Sequence, residues 1–114
     1  MPFINTKVSC PISAGQEKSL KEAFGKAIAL LPGKSERWLM LNFEENCRMY
    51  FQGDGESPAA MVEVSVFGSI DETASAHLSA ELCGRLEEIL QIPPDRTYIK
   101  YVPVKNWGWN GGNF

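Results

Sequence analysis

Residues 20–33, LKEAFGKAIALLPG, carry an apolar side chain every three or four positions. This spacing aligns the apolar groups on one face of a helix, because an α-helix turns once in about 3.6 residues. Pro32 followed by Gly33 predicts where that helix ends. The apolar positions are Leu20, Phe24, Ala27, Ile28 and Leu31.

A second stretch repeats this pattern: residues 78–94 read LSAELCGRLEEILQIPP, with apolar side chains at nearly the same offsets and two prolines beyond them. The segments flanking each helix have strand character. The predicted strands are Phe3–Val8, Trp38–Phe43, Met61–Phe67 and Thr97–Val102. Equivalent positions of the two halves lie about 58 residues apart, which indicates an internal duplication.

Two βαβ units predict an α/β fold of the α+β type, with one four-stranded sheet and both helices on the same face. We expect a single domain over residues 1–114, with halves of roughly 1–58 and 59–114. Because side chains alternate between the two faces of a strand, a partly polar set points to the sheet face that the helices do not cover. Such a face favours self-association. That set is Asn5, Lys7, Met40, Asn42, Met61, Glu63, Ser65, Tyr98 and Lys100.

Two further segments have predicted roles. Arg48–Gln52 is a candidate strand before the turn at Gly53, and residues 106–114 are rich in glycine, asparagine and aromatic groups. The terminal segment has no evident partner within the chain, so we expect it to pair or dock at the edge of a neighbouring chain.

Composition narrows the functional classes. A net charge of -3 without a basic cluster disfavours nucleic acid as a partner. No segment resembles a signal peptide or a membrane span, so we expect a leaderless, soluble, cytoplasmic protein. With three well-separated cysteines and one histidine, His77, the chain predicts no disulfide framework, no metal site and no histidine-based triad. Lacking a phosphate-binding loop, it predicts no nucleotide cofactor.

Pro2 is the most interesting candidate for chemistry. Its small side chain permits removal of Met1, which leaves a secondary amine at the start of the first strand. An α-amino group has a pKa of about 7.7–8.0, and burial or a nearby cation lowers that value. Such an amine can act as a neutral base at pH 7, although a residue that merely begins an edge strand fits Pro2 alone equally well.

Several short segments of the chain are informative when taken together: Met1-Pro2-Phe3-Ile4-Asn5-Thr6, Gly33-Lys34, Pro94-Asp95-Arg96-Thr97-Tyr98-Ile99, Gly108-Trp109-Asn110 and Phe114. Together they resemble the macrophage migration inhibitory factor family of the tautomerase superfamily. Their order and spacing match the family over essentially the whole chain. The resemblance implies a homotrimer with active sites at subunit boundaries.

The resemblance also implies roles for individual residues. Pro2 matches the catalytic base, and Lys34 matches the lysine that binds the substrate carboxylate. Tyr98 matches a tyrosine contributed by the neighbouring subunit, and Phe67 matches a residue whose backbone contacts ligand. The residues expected to line the pocket are Trp38, Lys100, Trp107, Trp109 and Phe114.

Three departures from the family are visible. Ala59-Ala60-Met61-Val62 stands where the family often has a CxxC motif, so thiol oxidoreductase activity is not expected. Lys100 replaces a frequent asparagine, and Trp107 replaces a smaller aliphatic residue. These two changes predict a narrower and more cationic pocket.

The expected function is a cofactor-free keto–enol tautomerase that acts on aromatic 2-oxo acids of the phenylpyruvate type. A second hypothesis is a secreted, cytokine-like protein that binds a host receptor and whose tautomerase site is vestigial. Decarboxylation or dehalogenation by the same base is a weaker third alternative, because Gly33-Lys34 and the aromatic tail fit the named family better.

Overall fold

The computed structural model describes all residues from Met1 to Phe114. Its strands are β1 (Pro2–Val8), β2 (Met40–Glu44), β3 (Ala60–Phe67), β4 (Thr97–Val104), β5 (Gly108–Trp109) and β6 (Gly112–Asn113). The helices are α1 (Ala14–Ala27) and α2 (Glu72–Leu90), and short 3-10 turns span Ile28–Leu30, Glu36–Trp38 and Pro94–Arg96. The predicted order, βαβ followed by βαβ, is confirmed.

One four-stranded sheet has the order β2-β1-β3-β4. Each βαβ unit contributes a parallel pair, β1 with β2 and β3 with β4, and the two units meet antiparallel where Pro2 lies opposite Val66. The predicted fold class, a duplicated βαβ α+β fold, is therefore correct. Because the two units are antiparallel, one end of the sheet carries the starts of β1 and β2 together with the ends of β3 and β4.

The helices begin at clear capping residues. The backbone amide of Gln16 donates to the Ser13 hydroxyl at 3.1 Å, and the amide of Ser13 donates to the Gln16 side chain at 2.9 Å, which forms a capping box. At α2, the Asp71 carboxylate accepts from the amide of Ala74 at 2.8 Å. These caps fix the residues at which the two helices begin.

The hydrophobic core lies between the helices and the sheet. Its fully buried members come from the predicted apolar positions of both helices and from alternate positions of the central strands, as the sequence pattern indicates. They include Leu20, Phe24, Ile28, Leu78, Leu82 and Leu86 from the helical layer and Ile4, Val62, Val64 and Val66 from the sheet. No helix is both long enough and apolar enough to cross a bilayer.

Thr6 is the one buried polar side chain, and its hydroxyl has no hydrogen-bond partner. A buried hydroxyl without a partner carries its desolvation cost, about 1–3 kcal/mol, with nothing to offset it. We expect Thr6→Val to raise the free energy of unfolding by about 1 kcal/mol in urea titrations at fixed chain concentration.

Thr97→Val is the matched control for this prediction. The hydroxyl of Thr97 donates a hydrogen bond to the carbonyl oxygen of Pro93 at 3.1 Å. The same substitution there removes this hydrogen bond and should lower the free energy of unfolding. Equal destabilisation by both substitutions would show that the Thr6 hydroxyl is satisfied in solution.

The segment between β2 and β3 differs from the prediction. Arg48–Gln52 does not form a strand, and only an isolated bridge joins Phe51 to Asp54 around a turn in which Gln52 and Gly53 have φ of 53° and 79°. Hydrogen bonds to Arg96, rather than pairing with a neighbouring strand, hold this segment in place. Its guanidinium donates to the carbonyl oxygens of Phe51, Asp54, Ser57 and Pro58 at 2.9–3.3 Å.

The C-terminal segment also differs, because it does find a partner within the chain. β5 and β6 form a hairpin around Asn110-Gly111, both with positive φ, as a tight turn of this type requires. The expectation that the segment lacks an intrachain partner is therefore wrong. The hairpin lies at the end of the sheet where β1 begins.

Candidate active site

Pro2 begins β1 and is buried. The carbonyl oxygen of Met1 accepts a hydrogen bond from the amide of Phe67 at 3.0 Å, which fixes the start of the chain to the end of β3. Burial lowers the pKa of the Met1 α-amino group, and the positive charge of Lys34 lowers it further. The chain terminus therefore lies where a neutral amine is favoured.

Lys34 lies close to this terminus because α1 ends before the turn at Gly33, whose φ of 76° suits glycine. Its Nζ donates to the carbonyl oxygen of Phe67 at 3.1 Å, and its side chain is half-buried. An ammonium group has three hydrogens, so this bond orients the group and leaves two donors for a ligand.

Two aromatic pairs stand beside the terminus. The rings of Trp38 and Trp109 meet edge to face with centroids 5.1 Å apart, and the rings of Phe67 and Phe114 lie 5.5 Å apart. Trp38, Trp109, Phe114 and Met1 line an apolar cavity of about 310 Å³. A space of that size lined by aromatic groups suits a small ring-bearing ligand.

A second cavity, of about 510 Å³, shares Met1, Trp38 and Trp109 with the first and also touches Pro2. Trp107, Met40 and Arg37 are among its other lining residues. Sequence analysis did not include Arg37 among the site residues. The feature that could have identified Arg37 is its position directly before Trp38, in the 3-10 turn between Lys34 and β2.

The structure brings together Pro2, Lys34, Phe67, Trp38, Trp107, Trp109 and Phe114 within one chain. Tyr98 and Lys100 lie elsewhere. Tyr98 is opposite Met61, five residues before Val66 on β3, so it is about 16 Å along the sheet from Pro2. Its ring packs against Phe51, and the Lys100 ammonium is paired with the Glu63 carboxylate at 2.8 Å.

The largest cavity, about 600 Å³, lies elsewhere, between α1 and β2. It contains none of the predicted site residues, and its lining combines two lysines with two glutamates. Those charges offset one another, so the groove favours no ligand of either sign. The smaller aromatic cavities beside Pro2 are the better candidate for chemistry.

Comparison with known proteins agrees with this geometry. The family model described as macrophage migration inhibitory factor (MIF) matches residues 1–114. The macrophage migration inhibitory factor of Meriones unguiculatus is 31% identical over 116 residues, covering 100% of this chain and 99% of the relative. The crystal structure of Leishmania major MIF2 is similar with a TM-score of 0.93 and 31% identity, covering 100% of this chain and 97% of that one.

A homologue from Prochlorococcus marinus has a crystal structure that matches with a TM-score of 0.86 and 37% identity, covering 98% of both chains. The matches thus extend over the whole length and include both βαβ units, the lysine turn and the aromatic hairpin. The chain belongs to the macrophage migration inhibitory factor family.

Proposed function

We propose that this protein is a cofactor-free keto–enol tautomerase for aromatic 2-oxo acids of the phenylpyruvate type, with Pro2 as its general base. The observation that carries the proposal is the position of Pro2, buried beside a cavity that it shares with Trp38 and Trp109 and near the Lys34 ammonium. A base, a cation and an apolar wall are the parts that this reaction needs.

The base requires removal of Met1, because the nitrogen of Pro2 is otherwise an amide without a basic lone pair. The lowered pKa of the Met1 amine supports a neutral Pro2 amine near pH 7, since Pro2 is the more deeply buried of the two residues. Neutral Pro2 would take a proton from C3 of the substrate. The resulting ammonium would return a proton to carbon or to the enolate oxygen.

Lys34 would hold the substrate carboxylate through the two ammonium hydrogens that Phe67 does not use. A charge-assisted contact of this kind orients the substrate and favours the negative charge that develops on the enolate. The substrate ring would lie against Trp38, Trp109 and Phe114, whose faces and edges line the apolar cavity.

This function is tested by following deuterium incorporation at C3 of phenylpyruvate in D2O by NMR, with intact-mass analysis of the same sample. We expect exchange well above the buffer rate in protein that lacks Met1. Exchange at the buffer rate in such protein would refute the proposal.

A homotrimer would complete the site. Tyr98 and Lys100 lie on an uncovered sheet face about 16 and 10 Å along the strand from Pro2, so they can line the cavity only of a neighbouring subunit. Tyr98 is 62% exposed within one chain, as expected of a residue that a neighbour would cover.

The corresponding prediction is that light scattering gives about three times 12.7 kDa at micromolar concentration. Self-association through two unlike surfaces of the chain closes a ring when the rotation between subunits permits it. A stable monomer would contradict both the trimer and the contribution of Tyr98 to a shared site.

A second candidate function is that of a secreted, cytokine-like ligand for a host receptor, found in the cytoplasm before release. The observation that favours it is the match over the full length to rodent macrophage migration inhibitory factors at 30–31% identity. Receptor binding that persists in a protein without tautomerase activity would favour this role over catalysis.

A further inference from the structure

Arg37 is a cation without an anionic protein partner, and it lines a cavity that the proposed base also touches. Its guanidinium carbon lies 5.2 Å from the centroid of the Trp38 ring, and the side chain lines the 510 Å³ cavity that Pro2 also touches. None of the four ion pairs in the structure includes Arg37. Stacking on Trp38 orients the exposed guanidinium beside the cavity.

Arg96 supplies a comparison for this residue. Arg37 is the middle residue of the 3-10 turn Glu36–Trp38, Arg96 is the last residue of the 3-10 turn Pro94–Arg96, and each turn precedes an edge strand, β2 or β4. Both guanidinium groups stack on an aromatic ring, since Arg96 lies 5.5 Å from the centroid of Phe51. The two arginines thus share an aromatic contact and a place in similar turns.

They differ in the oxygen atoms around them. Arg96 binds four backbone carbonyl oxygens and pairs with the Asp54 carboxylate at 3.5 Å. The chain provides no such oxygen atoms for Arg37, whose side chain lines an open cavity instead. Arg96 uses its guanidinium N–H groups for hydrogen bonds within the chain, whereas those of Arg37 are available to a ligand.

We propose that Arg37 binds a second anionic group of the ligand, so that the preferred substrates are aromatic 2-oxo acids with an additional carboxylate or similar anion on the ring. The inference rests on the proposed function and specifies its substrate class. Lys34 is bonded to Phe67, whose ring packs on Phe114 of the first cavity, and Arg37 lines the second. The two cavities share Trp38 and Trp109. A ring against these tryptophans can therefore present one anion to each cation.

The test compares the binding of phenylacetate and 1,4-phenylenediacetate, a monoanion and a dianion that cannot tautomerise, by quenching of tryptophan fluorescence. The proteins are the wild type, Arg37→Gln and the control Lys26→Gln, which removes an exposed positive charge at the end of α1. We expect the wild type and the control to bind the dianion about tenfold more tightly than the monoanion. In Arg37→Gln the ratio should fall to about one.

An unchanged ratio in Arg37→Gln, or no preference for the dianion in the wild type, would overturn the inference. The same proteins are then assayed for tautomerisation of phenylpyruvate and of its 4-carboxy derivative, and we expect Arg37→Gln to lose activity selectively on the latter. If wild-type protein lacking Met1 turns over neither compound but retains the dianion preference, the proposed function fails and the anion site stands.

Discussion

Replacing Pro2 by glycine is expected to slow the enol–keto exchange of phenylpyruvate by about a hundredfold. A well-placed general base contributes about 10²–10⁴-fold to such a reaction, and glycine keeps an amine but not its position. The pyrrolidine ring restricts the backbone at the start of β1, whereas a glycine terminus samples many orientations. The measurement is kcat/KM for phenylpyruvate in protein whose loss of Met1 is verified by mass.

A second variant distinguishes the role of the Pro2 amine from that of the proline ring. An alanine inserted between Met1 and Pro2 leaves the proline ring in place but converts its nitrogen to an amide, so activity should fall at least as far as in Pro2→Gly. Circular dichroism and the oligomeric state should match the wild type in both proteins. Unchanged rates in the two proteins would assign the proton transfer to another group.

Replacing Lys34 by alanine is expected to raise KM for phenylpyruvate about tenfold or more. Loss of a charge-assisted hydrogen bond costs about 1.5–3 kcal/mol, and each 1.4 kcal/mol corresponds to a factor of ten. The uncharged ester of the same acid lacks the group that Lys34 binds, so its KM should change little. Lys26→Ala, which removes an exposed lysine of α1, serves as the control for net charge.

The pH–rate profile gives an independent measure of Lys34. Its positive charge is the second cause, after burial, of the lowered pKa at the chain terminus. Without that charge the pKa of the terminal amine should rise, so a smaller neutral fraction is present at low pH and the acidic limb moves to higher pH. If Lys34→Ala changes KM equally for the acid and the ester, and the acidic limb of the pH–rate profile does not move, then Lys34 only stabilises the turn through its bond to Phe67.

The layout of the sheet could be predicted because its determinants are local. The helical spacing of Leu20, Phe24 and Ile28 and its repetition from Leu78 onward specify two helices, and a right-handed crossover places both on one face. Boundaries were less well predicted: Trp38 belongs to a 3-10 turn rather than to β2. That difference matters, because the turn leaves Trp38 40% exposed and able to meet Trp109.

Other features depend on contacts that leave no periodic signal. Arg96 binds backbone carbonyl oxygens, which every residue carries, so no side-chain pattern identifies its partners. Arg37 is an exposed arginine whose importance comes from the cavity that it lines, and no sequence pattern identifies that cavity. The hairpin of the terminal segment did have a signal, since Asn110-Gly111 between short strands is typical of a two-residue turn.

The contacts of Arg96 have a consequence for the order in which the chain folds. The segment that follows β2 has no strand partner, and the arginine that binds its carbonyl oxygens lies 38 to 45 residues later in the sequence. Closing so long a loop costs chain entropy before any hydrogen bond forms in return. We therefore expect residues 51–58 to gain their native arrangement together with the turn that carries Arg96 and not before it, which hydrogen exchange during refolding can test.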